Sequence, residues 1–485
     1  MTKLSHALVL VPVLALAGCT ADADVPVPTD PGCAPRTQAS VARIAAHLEG
    51  GMGVHLPSGS SSSLPDGWVE EEYAIEGTAV AYQGSLPADG RATLCEATTA
   101  DYRTRVVTRR PADAATFSGT VVVEWLNVSG GVDAGPDFTY LADELVRRGH
   151  AWVGVSAQHI SIEGGPVLVS APGGEAAGAG VGLRKIDPAR YGSLHHPGDA
   201  FSYDIYTQVG RLLRGAGLLG PLTPKHLLAV GESQSAFLLT TYVNGIQPLA
   251  GQYDGFLIHS RGGGAAPLGE AGAGVELIDA ILGEPMQIRE DLAVPVFVVE
   301  TETDVLFLLG YQAARRPDGD RFRAWEVAGA AHADLYLLGA AAELFDCPLP
   351  VNDGPAHFVA KAALRHLVAW VEDGTAPPAA DLLQVDGADY ARDDDGIALG
   401  GIRTPLVDVP LDTLSGAPQE GAVACMLFGS TTPLAPDRVA ELYASPEAYL
   451  DAYAAAADAA VEAGFALDDD RGALMDMADP SRVAP

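Results

Sequence analysis

The sequence predicts an α/β protein: a mixed, mostly parallel central sheet with helices on both faces and lid-like additions towards the C-terminus. Three observations carry this expectation. Between residues 120 and 330, apolar runs of strand length alternate with segments of helical periodicity, the pattern of βαβ crossovers. Gly, Pro and Asn punctuate the junctions between them. With 485 residues, 48% apolar and 19% charged, the chain carries enough apolar side chain for a large core.

At the N-terminus, Lys3, the apolar run Ala7 to Ala17 and the small residues after it have the order of a secretory signal over residues 1–18. The run is too short to span a bilayer. Leu16-Ala17-Gly18-Cys19 resembles the lipobox of bacterial lipoproteins, which makes Cys19 the acylated first residue of a cell-envelope protein; without acylation the protein is secreted. Residues 20–35 then read as a spacer. Val41, Ile44, Ala45 and Leu48 recur at helical spacing, so a short helix ending at Gly50-Gly51 is expected. Residues 57–67, with four consecutive Ser, read as a flexible loop, and residues 68–110 as antiparallel strands.

From Val121 onwards the alternation is regular. Val121 to Leu126 is a strand, followed by the polar loop Asn127-Val128-Ser129-Gly130-Gly131. Pro136 opens a helix that Gly149 closes, with Phe138, Leu141, Ala142 and Leu145 on one face. Strands follow at 151–155, 226–230, 253–259, 294–300 and 322–327, with a helix at 201–213. Two segments of low periodicity, 262–285 and 377–425, read as lid-like insertions into one large α/β domain spanning 67–470. Helices are expected at 355–373 and 446–464, before a tail at 471–485.

The charge balance excludes some partners. Against 63 Asp+Glu there are 29 Lys+Arg, a net charge of −34, which repels phosphate backbones and anionic lipid. Nucleic acid is not an expected partner, and the membrane is reached only through the lipid on Cys19. Besides Cys19, Cys33, Cys95, Cys347 and Cys425 make an even set for an oxidising compartment. Of their three connectivities, chain order favours Cys33–Cys95 and Cys347–Cys425.

The chemistry centres on Gly231-Glu232-Ser233-Gln234-Ser235-Ala236. A buried strand precedes it and a helix follows, so Ser233 stands on a strand-to-helix turn, the setting of a G-x-S-x-G nucleophile elbow. Ser235 replaces the second Gly and is small enough to be tolerated. In an open α/β sheet, reactive residues lie at the carboxyl ends of strands. Asp304 follows one such strand and His332 another, giving the chain order Ser, Asp, His of α/β-hydrolases. The hydroxyl needs an imidazole to take its proton, and the imidazole needs a carboxylate to hold its tautomer. Glu300 and Glu302 compete for the acid role, but Asp304 lies beyond the strand end, on the loop that reaches the histidine. For the oxyanion, the expected donors are the backbone N–H of Gln234 and one from Asn127 or Val128.

Glu124 to Gly130, Gly231 to Ala236, Glu302-Thr303-Asp304-Val305 and Trp325 to Asp334 together resemble a largely uncharacterised family of α/β-hydrolase-domain proteins. The resemblance runs from about Tyr102 to Phe465 and includes Gly400-Gly401-Ile402-Arg403-Thr404-Pro405. It implies the α/β-hydrolase fold and serine-dependent hydrolysis, without a particular substrate. The expected activity is cleavage of a small-molecule carboxylic ester through an acyl-enzyme. A peptidase or amidase of the same fold and a catalytically silent surface binding lipoprotein are the alternatives. No cofactor or metal is expected: His195-His196-Pro197-Gly198-Asp199 fits no structural zinc spacing, and Asp393-Asp394-Asp395-Gly396 lacks the alternation of a calcium loop. Arg261, just past a strand end, is a candidate for a substrate carboxylate, with pairing to a neighbouring acid as the plainer role.

Overall fold

In a computed structural model, residues 41–57, 64–215 and 217–484 are described. The signal segment 1–18, Cys19, the spacer 20–35, Cys33 and residues 58–63 of the Ser-rich loop lie outside them.

The long β2 (Trp68–Ser85) and β3 (Thr93–Pro111) form an antiparallel pair, with β1 (Arg43–His47) on the outer side of β2. β3 then joins β5 (Ala151–Val155), still antiparallel. From there the sheet is parallel, in the order β5, β4 (Thr120–Trp125), β6 (His226–Glu232), β7 (Gly255–His259), β8 (Val296–Thr301), β9 (Phe322–Val327). The described residues thus make a mixed sheet of nine strands, mostly parallel, as the sequence predicts.

β1 corrects the expected helix over Val41 to Leu48. A β-bulge between Ile44 and Ala46 breaks the two-residue alternation, so the apolar residues fall at a spacing that imitates a helix. Pairing along the edge of β2, completed by Leu48 N–H donating to Glu72 O, outweighs local propensity.

The parallel strands read as unbroken apolar runs because both faces are covered. Val121, Val123 and Trp125 face one core with Tyr203, Tyr206 and Val209 of α2 (Ser202–Arg214), and α3 (Gln234–Thr241) lies in the same layer. Val122 faces the other core, with Phe138, Leu141 and Leu145 of α1 (Pro136–Arg148) and Leu364 and Leu367 of the later helix Ala356–Glu372. α1 starts at Pro136 and stops at Gly149, whose φ of 65° is the left-handed C-cap that glycine adopts without strain.

Between Cys347 and Cys425 a disulfide, with Cα atoms 5.6 Å apart, ties the C-terminal additions to the segment after β9. Cys95 is also disulfide-bonded. Among the described residues, no helix is long and apolar enough to cross a membrane.

Candidate active site

β6 ends at Glu232, and the chain turns at once into α3. Ser233 on that turn has φ 58° and ψ −119°, a conformation that costs a non-glycine residue of order 1–3 kcal/mol and persists only when its surroundings enforce it. The enforcing contacts are visible. Ser233 N–H donates to His259 O at 3.0 Å, which clips the turn to the end of β7. Glycine at 231 keeps the turn uncrowded, since a Cβ there would lie 2.8 Å from Leu239 Cδ1 and 3.0 Å from Ser235 Oγ. Ser235 in turn donates its hydroxyl to Glu232 O at 2.8 Å, so the second small position of the elbow accepts serine and gains a hydrogen bond.

Ser233 Oγ donates to His332 Nε2 at 2.7 Å, and His332 Nδ1 donates to Asp304 Oδ1 at 2.6 Å. Asp304 is fully buried in the short helix α4 (Glu302–Val305), after β8. Its second oxygen, Oδ2, accepts both Thr301 N–H and Thr301 Oγ–H at 2.7 Å, which fixes the carboxylate plane, and Asp304 N–H donating back to the Thr301 side chain completes a capping box. Burial alone lowers the imidazole pKa of His332, but the Asp304 carboxylate, its hydrogen bond and Glu232 outweigh it and leave the pKa raised.

Neither competing acid bonds His332. Glu302 accepts Gly329 N–H at 2.7 Å and Gly416 N–H at 3.0 Å, joining the loop after β9 to the C-terminal addition. Glu300 is buried on β8 with neither carboxylate oxygen hydrogen-bonded, and burial holds its pKa well above the ordinary value.

A chain of buried groups supports the elbow from behind. Glu124 of β4 accepts the N–H groups of Asp137 and Phe138 at the start of α1 and the indole of Trp152. Asp137 in turn bonds His259 Nδ1 at 3.0 Å, and it is the carbonyl of His259 that holds Ser233. Asp137 and His259 carry no motif of their own in the sequence.

The oxyanion expectations divide. Gln234 is the first helical residue of α3, where an N–H has no acceptor within the helix. Asn127 is corrected: its N–H is spent on Ala134 O at 2.9 Å, and its side-chain amide donates to Glu232 O at 3.0 Å. Val128 N–H donates to Gln234 Oε1 at 3.1 Å, so a substrate oxygen reaches it only by displacing that amide. Arg261 is corrected too. It is fully buried and donates to the carbonyls of Gly262, Gly263, Gly264 and Met286. A guanidinium is used there to satisfy loop carbonyls that the fold buries.

Beside Ser233 and His332 lies a cleft of about 350 Å³ with mainly apolar walls. The loop 129–136, the Gly- and Ala-rich stretch 169–179, and Leu337, Leu338 and Phe345 line it, with Leu427 and Phe428 beside them. Neither 262–285 nor 377–425 contributes to this lining. The disulfide holds the aromatic wall: Phe345 precedes Cys347, Phe428 follows Cys425, and their rings pack edge to face at 4.8 Å. His196 bonds Ala157 O and Asp199 accepts His159 N–H, so the His-rich loop is an internal brace. Among the described residues, no cluster of His, Cys, Asp and Glu has the arrangement of a metal site.

A family model described as an alpha/beta hydrolase domain matches residues 35–476. Among solved structures, a serine hydrolase without a lid from Xanthomonas campestris is 11% identical, covers 60% of this chain and 94% of its own, and has a TM-score of 0.30. An esterase from Rhizomucor miehei is 13% identical over 64% of this chain and 85% of its own, at a TM-score of 0.33. The glucuronoyl esterase from Solibacter usitatus is 8% identical, with 60% and 83% covered and a TM-score of 0.29. No curated protein sequence matches the chain.

Proposed function

The chain belongs to the alpha/beta hydrolase domain family, and on that premise we propose that it is a serine esterase that cleaves a carboxylic ester through an acyl-enzyme. One observation carries the reading: an unbroken line of hydrogen bonds from Ser233 Oγ through His332 to Asp304, ending on a nucleophile held in a strained turn. Ser233 attacks the ester carbonyl while His332 Nε2 takes its proton. Asp304 keeps the proton of His332 on Nδ1 and stabilises the imidazolium. The N–H of Gln234 stabilises the oxyanion. His332 then protonates the leaving alcohol, and water attacks the acyl-enzyme by the same route in reverse.

The cleft argues for an uncharged, apolar substituent on the ester, because its walls are alkyl and aromatic and the acid at its base, Glu232, disfavours a carboxylate. Cys19 acylation after removal of residues 1–18 anchors the enzyme at the cell envelope, and the Cys347–Cys425 disulfide is compatible with that compartment. A fluorophosphonate tests the nucleophile: it is expected to label Ser233 in the wild type and nothing in Ser233→Ala, which loses turnover of p-nitrophenyl esters by on the order of 10³-fold or more. Wild-type rates in Ser233→Ala would end the proposal. Lipid on the N-terminal peptide of membrane-fraction protein, found by mass spectrometry, tests the anchor.

A further inference from the structure

We infer that Glu232, the residue before the nucleophile, is a further catalytic residue that holds the deacylating water: its carboxylate accepts one O–H of that water while His332 Nε2 takes the other proton. The inference rests on the acyl-enzyme reading above and deepens it.

The geometry is specific. Glu232 Oε1 lies 3.5 Å from His332 Nε2, the same ring nitrogen that accepts Ser233 Oγ–H at 2.7 Å. That separation is too long for a good direct hydrogen bond, yet it leaves one water within bonding distance of both atoms. The carboxylate is held in place: Asn127 Nδ2 donates to its Oε2 at 3.3 Å and to its backbone carbonyl at 3.0 Å. No described residue donates to Oε1, although the side chain is 5% exposed and lines the cleft with Ser233 and His332. A buried carboxylate with so few donors is costly unless function retains it.

Proton counting separates the two halves of the reaction. Ser233 brings one proton to acylation, and His332 takes it; no second acceptor is needed. Water brings two. As its oxygen bonds to the acyl carbon, His332 Nε2 removes one proton, and the other O–H stays intact in the product acid, donating to Glu232 Oε1. Collapse of the tetrahedral adduct breaks the acyl–Oγ bond, and His332 returns its proton to Ser233. Atoms and charge balance without any further reactant. Burial pushes the Glu232 carboxyl up to about 7, against His332 and His259, which favour its ionised form, and with Asp137 and Asp304 opposing it. Above that pH the side chain is the acceptor the step needs.

The test compares the full-length wild type with Glu232→Gln on p-nitrophenyl butyrate. Loss of a deacylation residue should lower kcat by about tenfold or more and KM in proportion, leaving kcat/KM, which reports acylation, within about threefold. In acid-quenched samples analysed by mass, the fraction of Ser233 carrying the butyryl group should rise in Glu232→Gln. Hydroxylamine, a nucleophile stronger than water, should restore its turnover. If kcat/KM falls as far as kcat, Glu232 acts in acylation or only on the shape of the elbow, and the inference is overturned; an unchanged acylated fraction overturns it too. Should Glu232→Gln fail to fold, Glu232→Asp, which withdraws the carboxylate by one methylene, must show the same pattern. Fluorophosphonate labelling separates the two levels: normal labelling of the variant with a lost kcat/KM sinks only the Glu232 role, whereas no labelling of the wild type sinks the esterase reading and this inference together.

Discussion

Replacing Asp304 by Asn tests the assignment of the acid, and the structure dictates which way the new amide points. Thr301 donates two hydrogen bonds to Oδ2, one from its N–H and one from its hydroxyl, so the oxygen of the introduced amide must take that position. Its NH2 then occupies the Oδ1 position, 2.6 Å from His332 Nδ1. An NH2 there requires Nδ1 to be an acceptor, which moves the ring proton to Nε2, where it can no longer take the proton of Ser233. The expected loss of kcat is up to about 10⁴-fold, equivalent to about 5.4 kcal/mol of transition-state stabilisation, with the capping box preserved and the fold unchanged by circular dichroism. Glu302→Gln is the control. It keeps one acceptor for Gly329 or Gly416 and loses the other, so about 1–3 kcal/mol of stability should be lost, with only a small effect on kcat. A dead Glu302→Gln beside an active Asp304→Asn would refute the reasoning.

Other expectations follow from the same geometry. Gly231→Ala places a Cβ 2.8 Å from Leu239 Cδ1 and 3.0 Å from Ser235 Oγ, so thermal denaturation should show about 1–3 kcal/mol of destabilisation along with a loss of activity from the displaced elbow. The base form of His332 is the neutral one and its pKa is raised, so kcat/KM should fall as pH drops through a midpoint above the ordinary 6.5; a midpoint below 6.5 would contradict the Asp304 contact. Cys347→Ala with Cys425→Ala opens a bridge spanning 78 residues, so chemical denaturation should report a loss on the order of 4 kcal/mol. Because Phe345 and Phe428 are then free to part, the preference among bulky esters should broaden.

The parallel half of the sheet was legible because burial on both faces turns each strand into an apolar run, as in Val121-Val122-Val123 and Val296 to Val299. β1 was not legible, because one bulge gave it a helix-like spacing. The cleft walls were missed for a related reason. Residues 169–179 are mostly Gly, Ala and Pro, whose placement depends on long-range contacts such as Gly180 N–H to Gly131 O and not on any local pattern.

The site divides along the same line between local and distant causes. Ser233, Asp304 and His332 meet in one hydrogen-bonded line because each closely follows a strand, and the carboxyl end of a parallel strand has a fixed place in the sheet. Residues whose surroundings depend on a partner far along the chain are less legible. Asn127 and Val128 sit on the expected loop, yet the Asn127 amide meets Glu232, 105 positions away, and the Val128 N–H meets Gln234, 106 positions away. Arg261, a candidate for a substrate carboxylate with pairing to a neighbouring acid as the plainer role, serves carbonyls instead, one of them on Met286, 25 residues on. Glu232 shows the converse. It was plain inside the elbow motif, but a strand alternates its side chains, and the sequence alone does not tell whether the residue beside the nucleophile turns into the core or into the cleft. That choice is made by Asn127, which grips both the carbonyl and the carboxylate of Glu232 and turns an acid on a buried strand towards His332. The asparagine first assigned to the oxyanion therefore acts on the acid instead. Asn127→Ala, which leaves every backbone N–H in place, should then reproduce the kinetics of Glu232→Gln and not those of a lost oxyanion donor.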